Sequence, residues 1–213
     1  MSTSLAGLVL AAGRGRRLRP LTDSIPKPLL PIGTTTLLDA MLDRIGAVVT
    51  ESPDTTAVNA HWLAEQIIGH LAGRVHVSVE EPEALGTAGA VAGLGAWRAG
   101  RDLLIANGDA YLNGDLGLPE FVAGWDRRRP RLLVVADTDR PDFEGRWRFA
   151  GISLLPDRLA EPLTAVPSGL YEAVWSRTPL DLVPTTATFV DCGTPVDYEK
   201  ARRLAAEGSW PAH

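Results

Sequence analysis

The run Leu10-Ala11-Ala12-Gly13-Arg14-Gly15-Arg16-Arg17-Leu18-Arg19-Pro20 combines what an anion-binding loop needs. Glycines let the backbone come close to a ligand, and successive amides can form a nest for negative charge. Arginines add forked donors that keep their charge at any physiological pH. Lys27 follows, set between Pro26 and Pro28. The run is not a Walker loop, because no Gly-Lys-Ser/Thr follows it. It is not the dinucleotide fingerprint either: the third small residue would fall at Leu18, too bulky for that helix contact. Two further segments carry isolated carboxylates, Asn107-Gly108-Asp109 and Asp191-Cys192-Gly193-Thr194. Taken singly, Asp109 also suits a turn, Asp191 a helix cap, and Arg14, Arg16 and Arg19 a solvated face. Asn59 and His61 read as structural groups at a strand-to-helix junction. Cys192, with no second cysteine and no evident base, reads as a small buried residue.

The charge distribution supports a small anion. The chain of 213 residues has a formal net charge of −5. Its first 31 residues hold five cations against Asp23, a net of +4, which leaves −9 for the rest. A basic cluster in an acidic chain fits a small polyanion better than a nucleic acid. With 45% hydrophobic and 22% charged residues, the chain can bury one sizeable core. A single cysteine excludes a disulfide framework and a cysteine-based zinc site. No signal sequence or membrane-length apolar run is evident, which makes a cytoplasmic protein that engages no membrane the expectation.

These residues must be positioned by an alternating pattern. Residues 7–12 form a short apolar run ending at Gly13, the mark of a buried strand. Prolines 20, 26, 28 and 31 rule against a continuous helix over residues 21–31. Thr36 can cap a helix whose inner face carries Leu37, Leu38, Met41, Leu42 and Ile45. Strands are predicted over 55–59, 75–80, 102–106, 132–136, 148–154 and 186–190. Helices are predicted over 61–72 (with Leu63, Ile67, Ile68 and Leu71 inward), 87–97, 119–128 and 195–207. Residues 137–147 read as a mobile loop. Alternating strands and helices mean βαβ units and a mainly parallel sheet with helices on both faces. In such sheets ligands bind beyond the carboxyl ends of the strands, where the glycine loop, Asn107–Asp109 and Asp191–Thr194 all fall.

The sequence resembles the sugar-1-phosphate nucleotidyltransferases. That family carries a G-x-G-x-R-[LM]-x-P-L-T loop followed by P-K-P. Gly13, Gly15, Arg17, Leu18, Pro20, Leu21, Thr22, Pro26, Lys27 and Pro28 match it. The resemblance continues through Leu85-Gly86-Thr87-Ala88-Gly89-Ala90, Asn107-Gly108-Asp109 and Asp191-Cys192-Gly193-Thr194-Pro195, in the family's order. The short length is similar to that of the compact N-acetylmuramate 1-phosphate uridylyltransferases and mannose-1-phosphate guanylyltransferases.

The resemblance implies one α/β domain over residues 1–213, a three-layer α/β/α of the Rossmann-like, GT-A nucleotidyltransferase type with a mainly parallel mixed sheet. It implies that Leu10, Ala11, Ala12, Gly13, Gly15, Arg17, Lys27, Gly86 and Thr87 bind the nucleotide, with Arg17, Lys27 and Asp109 acting in the transfer. Asn107 and Gly151 would lie on the sugar-phosphate side, with Pro162-Leu163 and Tyr171–Trp175 in the sugar-side wall, though residues 170–184 are too unpatterned to assign contacts; Asp109 and Asp191 would share one Mg²⁺. The implied substrates are a nucleoside triphosphate (UTP, GTP or dTTP) and a sugar 1-phosphate, handled by a monomer or homodimer. Two other readings share these motifs: a cytidylyltransferase for a non-sugar phosphorylated acceptor, and a silent subunit that only binds nucleotide sugar. One departure stands out. Larger members carry a Glu-Lys-Pro segment whose lysine meets the sugar phosphate, and none occurs near residues 139–149, where Arg140, Arg146 and Arg148 are the candidate replacements.

Overall fold

The computed structural model describes residues 4–207. In chain order the elements are β1 (Leu5–Leu10), β2 (Pro31–Ile32), β3 (Thr35–Thr36), α1 (Leu37–Gly46), β4 (Thr56–Ala60), α2 (Ala64–Leu71) and β5 (His76–Val79). They continue with α3 (Gly86–Gly93), α4 (Gly95–Arg98), β6 (Asp102–Asn107), β7 (Ala110–Asn113), α5 (Leu118–Ala123), β8 (Arg131–Ala136) and β9 (Trp147–Leu155). The last are α6 (Asp157–Ala160), α7 (Leu170–Ala173), β10 (Asp181–Pro184), β11 (Thr188–Asp191) and α8 (Pro195–Glu207). Three 3₁₀ turns fill the proline-rich stretch between β1 and β2, as the missing backbone donors require.

Seven strands form one sheet in the order β10-β8-β9-β6-β1-β4-β5. β1 runs parallel to β4 and β6, β4 to β5, and β8 to β10; β9 alone is reversed against β6 and β8. β1 sits at the switch point. The chain leaves it toward β4 on one side and later returns to β6 on the other, opening the crevice where such sheets take ligands.

Alternation along β1 sends Ala6 and Leu8 to one face and Val9 to the other. On Val9's side lie α1, α2 and α5, through Leu38, Met41, Ile45, Ile67, Leu71 and Phe121. On the opposite side lie α3, α6 and α7, through Ala88, Val91, Ala160 and Leu170. A third apolar cluster joins Tyr198, Ala201 and Ala205 of α8 to Leu30, Ile32, Tyr111 and Val190. That cluster fastens α8 beneath a separate two-stranded ribbon, in which β7 and β11 pair antiparallel with Asp191 opposite Ala110.

Several boundaries differ from the sequence expectation, each for a local reason. The helix expected over 87–97 divides into α3 and α4 around Leu94, where Gly93 and Gly95 make a continuous helix costly. The helix expected over 119–128 ends at Ala123, with Gly124 at its C-cap. The helix expected from His61 begins at Ala64, because Leu63 is left-handed (φ 53°). Its inner face carries Ile67 and Leu71, while Ile68 is exposed. Residues 137–147 form an irregular loop crossed by local hydrogen bonds. The Asp137 carboxylate accepts from the amides of Asp139 and Arg140 at 3.0 and 2.9 Å, and the Trp147 carbonyl accepts from Asp142 and Phe143 at 2.8 and 2.9 Å. The strand expected over 186–190 joins the ribbon, not the main sheet. Among the described residues, no helix is long and apolar enough to cross a membrane.

Candidate active site

The glycine loop leaves the carboxyl end of β1 and is shaped by packing. Gly15 is left-handed at φ 59°, and a Cβ there would lie 2.9 Å from the Thr22 side chain and 3.1 Å from Lys27 Cβ. The Thr22 hydroxyl donates to the Gly15 carbonyl at 2.9 Å, closing the loop on itself. Trp62, just before α2, clamps it from outside: its Nε1 donates to the Thr22 carbonyl at 2.9 Å, and Arg14 lies over its ring at 5.1 Å. Arg19 pairs with Asp23 at 3.0 Å and Arg16 is exposed. Gly13 differs from Gly15. A Cβ there would meet nothing within 4 Å, so the chain's own packing does not demand glycine. The open side of the loop is at Gly13.

A buried relay fixes the neck of this loop. Ala11 N donates to Asn59 Oδ1 at 2.7 Å, Asn59 Nδ2 donates to Glu80 Oε1 at 2.7 Å, and Leu85 N donates to Glu80 Oε2 at 2.7 Å. Asn59 and Glu80 are each 3% exposed. His61 Nδ1 lies 2.9 Å from the Glu80 carbonyl. Asn59 and His61 therefore take the structural parts expected of them, and the relay holds the Leu10–Gly15 and Leu85–Thr87 loops at a fixed separation. It also engages the Ala11 amide, so that group is already committed. Sequence carries only a faint signal for Glu80: it is the first of two adjacent acids at the end of the Val75, Val77, Val79 alternation.

Beyond the ends of β1 and β6 lies a charged cavity of about 360 Å³, bordered by Arg17, Lys27, Asn107, Asp109, Arg148 and Asp191. Lys27, only 6% exposed, reaches up from its 3₁₀ turn. Its Nζ donates to Asp109 Oδ2 at 2.6 Å and stands 3.8 Å from Asp191 Oδ1. Ribbon register brings these acids together from positions far apart in the chain: Asp191 ends β11 opposite Ala110, the neighbour of Asp109. Asp191 does not cap α8. Thr194 does, accepting from Asp197 N at 3.2 Å. Arg17 enters the same cavity across Gly193, where a Cβ would lie 2.7 Å from its Nη2.

Asn107 also borders a second, largely apolar chamber of about 220 Å³, whose wall includes Leu10, Thr87, Phe149, Leu170, Tyr171 and Trp175. Phe149 belongs to both cavities and meets Trp175 edge-on at 5.0 Å. The Thr87 hydroxyl accepts from Leu170 N at 2.7 Å, so it also anchors α7. Gly86 is left-handed at φ 70°, with the Ser168 carbonyl 2.5 Å from where a Cβ would sit. Gly151 lies behind Asn107 and lines neither cavity. Its φ of 82° accompanies a register shift in β9 and brings Asn107 against the strand. Tyr171 and Trp175 come from the stretch expected at the sugar-side wall, although the unpatterned residues 170–184 assign no individual contact; Phe149 is not singled out by the sequence.

Cys192 is fully buried beside these charges, and burial pushes its thiol up to about 12. That agrees with the reading of a small inert core residue.

Of the residues expected at the site, Arg17, Lys27, Asn107, Asp109 and Asp191 converge on the charged cavity. Leu10 and Thr87 face the apolar chamber. Ala11 and Ala12 are buried supports, while Gly13 opens to solvent. For a divalent cation, the donor set is two carboxylates reaching toward one ammonium. Among the described residues no three acids, histidines or cysteines gather as a metal cluster. Two carboxylates suit Mg²⁺, which keeps waters and recruits phosphate oxygens.

Comparison with known proteins identifies the family and the fold. The Nucleotidyl transferase family model matches residues 6–138. The N-acetylmuramate alpha-1-phosphate uridylyltransferase of Caulobacter vibrioides is 35% identical over 142 residues, 62% of this chain and 57% of that protein. The enzyme of that name from Neisseria meningitidis serogroup B is 32% identical over 175 residues, 74% of this chain and 68% of that protein. The match thus spans between about half and two thirds of these relatives' length. UDP-glucose pyrophosphorylase from Acinetobacter baumanii superposes with a TM-score of 0.76 at 15% identity, covering 97% of this chain and 95% of that one, which establishes a shared fold. From the family match and these relatives, the chain belongs to the nucleotidyl transferase family, among the sugar-1-phosphate nucleotidyltransferases.

Proposed function

We propose that this protein, acting as one catalytic domain, transfers a nucleoside monophosphate from UTP, GTP or dTTP to a sugar 1-phosphate. One observation carries the reading: Lys27 Nζ lies between Asp109 and Asp191 in a cavity that Arg17 and Arg148 border. A bond forms between an oxygen of the acceptor phosphate and the α-phosphorus. The bond from that phosphorus to the bridging oxygen breaks, and pyrophosphate leaves with the electron pair. The nucleophile is already an anion, so no side chain need remove a proton, and catalysis consists of positioning and charge neutralisation.

The chain's own groups suit those tasks. The open backbone at Gly13 admits the triphosphate, and Arg17 and Lys27 offset charge that builds on its phosphates. Asp109 and Asp191 would hold Mg²⁺, which when bound supplies further neutralisation of the phosphate oxygens. With those carboxylates neutralised, Lys27 would be available to phosphate. Asn107, at the junction of the two cavities, is placed to meet the acceptor.

Pyrophosphate release, measured with Mg²⁺ across triphosphates and sugar 1-phosphates, tests this. The expected result is turnover with a restricted set of pairs and loss of at least about 100-fold in Asp109→Ala, the scale of one lost charge-stabilising group. No release with any pair, or an unimpaired Asp109→Ala, would overturn it.

A further inference from the structure

The missing Glu-Lys-Pro lysine leaves the acceptor phosphate without an evident cation, and the structure separates the three arginine candidates. Arg140 is exposed, and its backbone amide is what binds Asp137. Arg146 is exposed too; it lies over Trp147 at 4.9 Å and pairs with Glu144 at 3.3 Å. Arg148 is different. Its side chain is 17% exposed, it lines the charged cavity, and its neighbour Phe149 is the wall shared with the apolar chamber.

Its guanidinium is also oriented. Nη1 lies 3.4 Å from Asp137 Oδ2, and the group sits over the Phe189 ring at 5.3 Å. Nη2 points the other way and stops 3.8 Å from Asp191 Oδ2, beyond hydrogen-bonding distance. One edge of the fork is therefore held, its plane is backed by an aromatic ring, and the other edge faces the cavity. An acceptor with a phosphate at one end and a ring at the other must straddle the two cavities, which meet at Asn107 and Phe149. Its phosphate then lies on the charged side of that junction, on the side that Arg148 faces.

We infer that Arg148 is the residue that grips the acceptor's phosphate, with Asp137 and Phe189 setting the angle of its guanidinium. The inference rests on the proposed transfer reaction and adds the residue that selects a phosphorylated acceptor. A forked guanidinium takes two oxygens of a phosphate in a geometry lysine cannot reproduce.

Steady-state kinetics on the best substrate pair decides it. Arg148→Met is expected to raise KM for the sugar 1-phosphate about 10- to 100-fold, the range for one charge-assisted contact. KM for the triphosphate should stay within about twofold. Arg148→Lys should recover part of the loss, and Arg140→Ala should match the wild type. An unchanged acceptor KM in Arg148→Met, or an equal rise in both KM values, overturns the inference. Absence of turnover in the wild type instead refutes the proposed reaction. In that event calorimetry with inorganic phosphate tests Arg148 directly: weaker binding to Arg148→Met than to the wild type supports the grip, and equal or absent binding removes it.

Discussion

Exchange of Glu80 for glutamine changes almost nothing in size, yet the relay makes it costly. The amides of Ala11 and Leu85 both point into the relay from its ends. Asn59 supplies one acceptor and one donor, so the last member must accept on both of its oxygens. Glutamine accepts on only one. Flipping Asn59 moves the conflict to Ala11 without removing it. In Glu80→Gln one buried donor must therefore face another, at a cost of about 1–3 kcal/mol. For a chain of this size that lowers the melting temperature by roughly 2–10 °C. Asn59→Asp alone sets two carboxylates against each other, which favours shared protonation, and its cost should be greater at pH 8 than at pH 5. Together the two changes reverse the polarity of the relay. The introduced aspartate would accept from the Ala11 amide and from the side-chain amide of the introduced glutamine. The glutamine's own carbonyl oxygen would accept from Leu85, so every donor is matched. Calorimetric melts of the wild type, both single variants and the pair give the coupling directly. The double variant should recover at least about 1 kcal/mol relative to the sum of the singles. Recovery of less than about 0.3 kcal/mol, or a Glu80→Gln melt equal to the wild type, would refute these hydrogen-bond directions.

Other consequences can be measured. Gly86→Ala must push against the Ser168 carbonyl at a left-handed position, and should lower stability by at least about 1 kcal/mol in denaturant titrations. With its thiol at about 12, Cys192 is un-ionised at pH 8 and buried; a thiol reagent should label it only as fast as the protein opens, and urea should speed labelling sharply. Burial alone would raise the Asp39 carboxyl, but bonds from Arg74, Thr36 and His70 outweigh it and hold the group below its ordinary value. The stabilisation from Asp39 is thus present above the ordinary aspartate range and disappears as the pH falls through the folded value, and Asp39→Asn should flatten that acid limb of the stability profile.

The strands and the site are legible in the sequence to different depths. β1, α1 and α8 are legible in the sequence: an apolar run ending in glycine, Thr36 before a periodic face, and a closing helix from Pro195. That Asp109 and Asp191 share one end of the sheet follows from the strand pattern, but their roles and that of Lys27 are legible only through the resemblance, because nothing local sets the distances between residues so far apart. The ribbon that unites them has two short strands without distinctive alternation. The aromatic chamber is legible only in outline: the stretch Tyr171–Trp175 is expected on the sugar-side wall, but without individual contacts. Tyr171 and Trp175 come from α7 and the turn after it, pieces too short for any period to mark. Arg148 is one of three equal candidates in the sequence, and only the fold turns it inward.

The β7–β11 ribbon has one more implication. The chain leaves the site at Asn113 and re-enters it at Thr188, and these two residues face each other across the ribbon. Everything between them, including β8, β9, β10 and most of the apolar chamber's wall, is a single excursion pinched at its base. The closure cost of such an excursion rises only slowly with its length. Because β9 pairs with β6 in the main sheet, it is the loops of this interval, not its strands, that can be lengthened or shortened while Asp109 and Asp191 keep their spacing. Under the proposed reaction, changes to those loops would alter acceptor preference within one contiguous stretch of gene and leave the spacing of the two aspartates as it is.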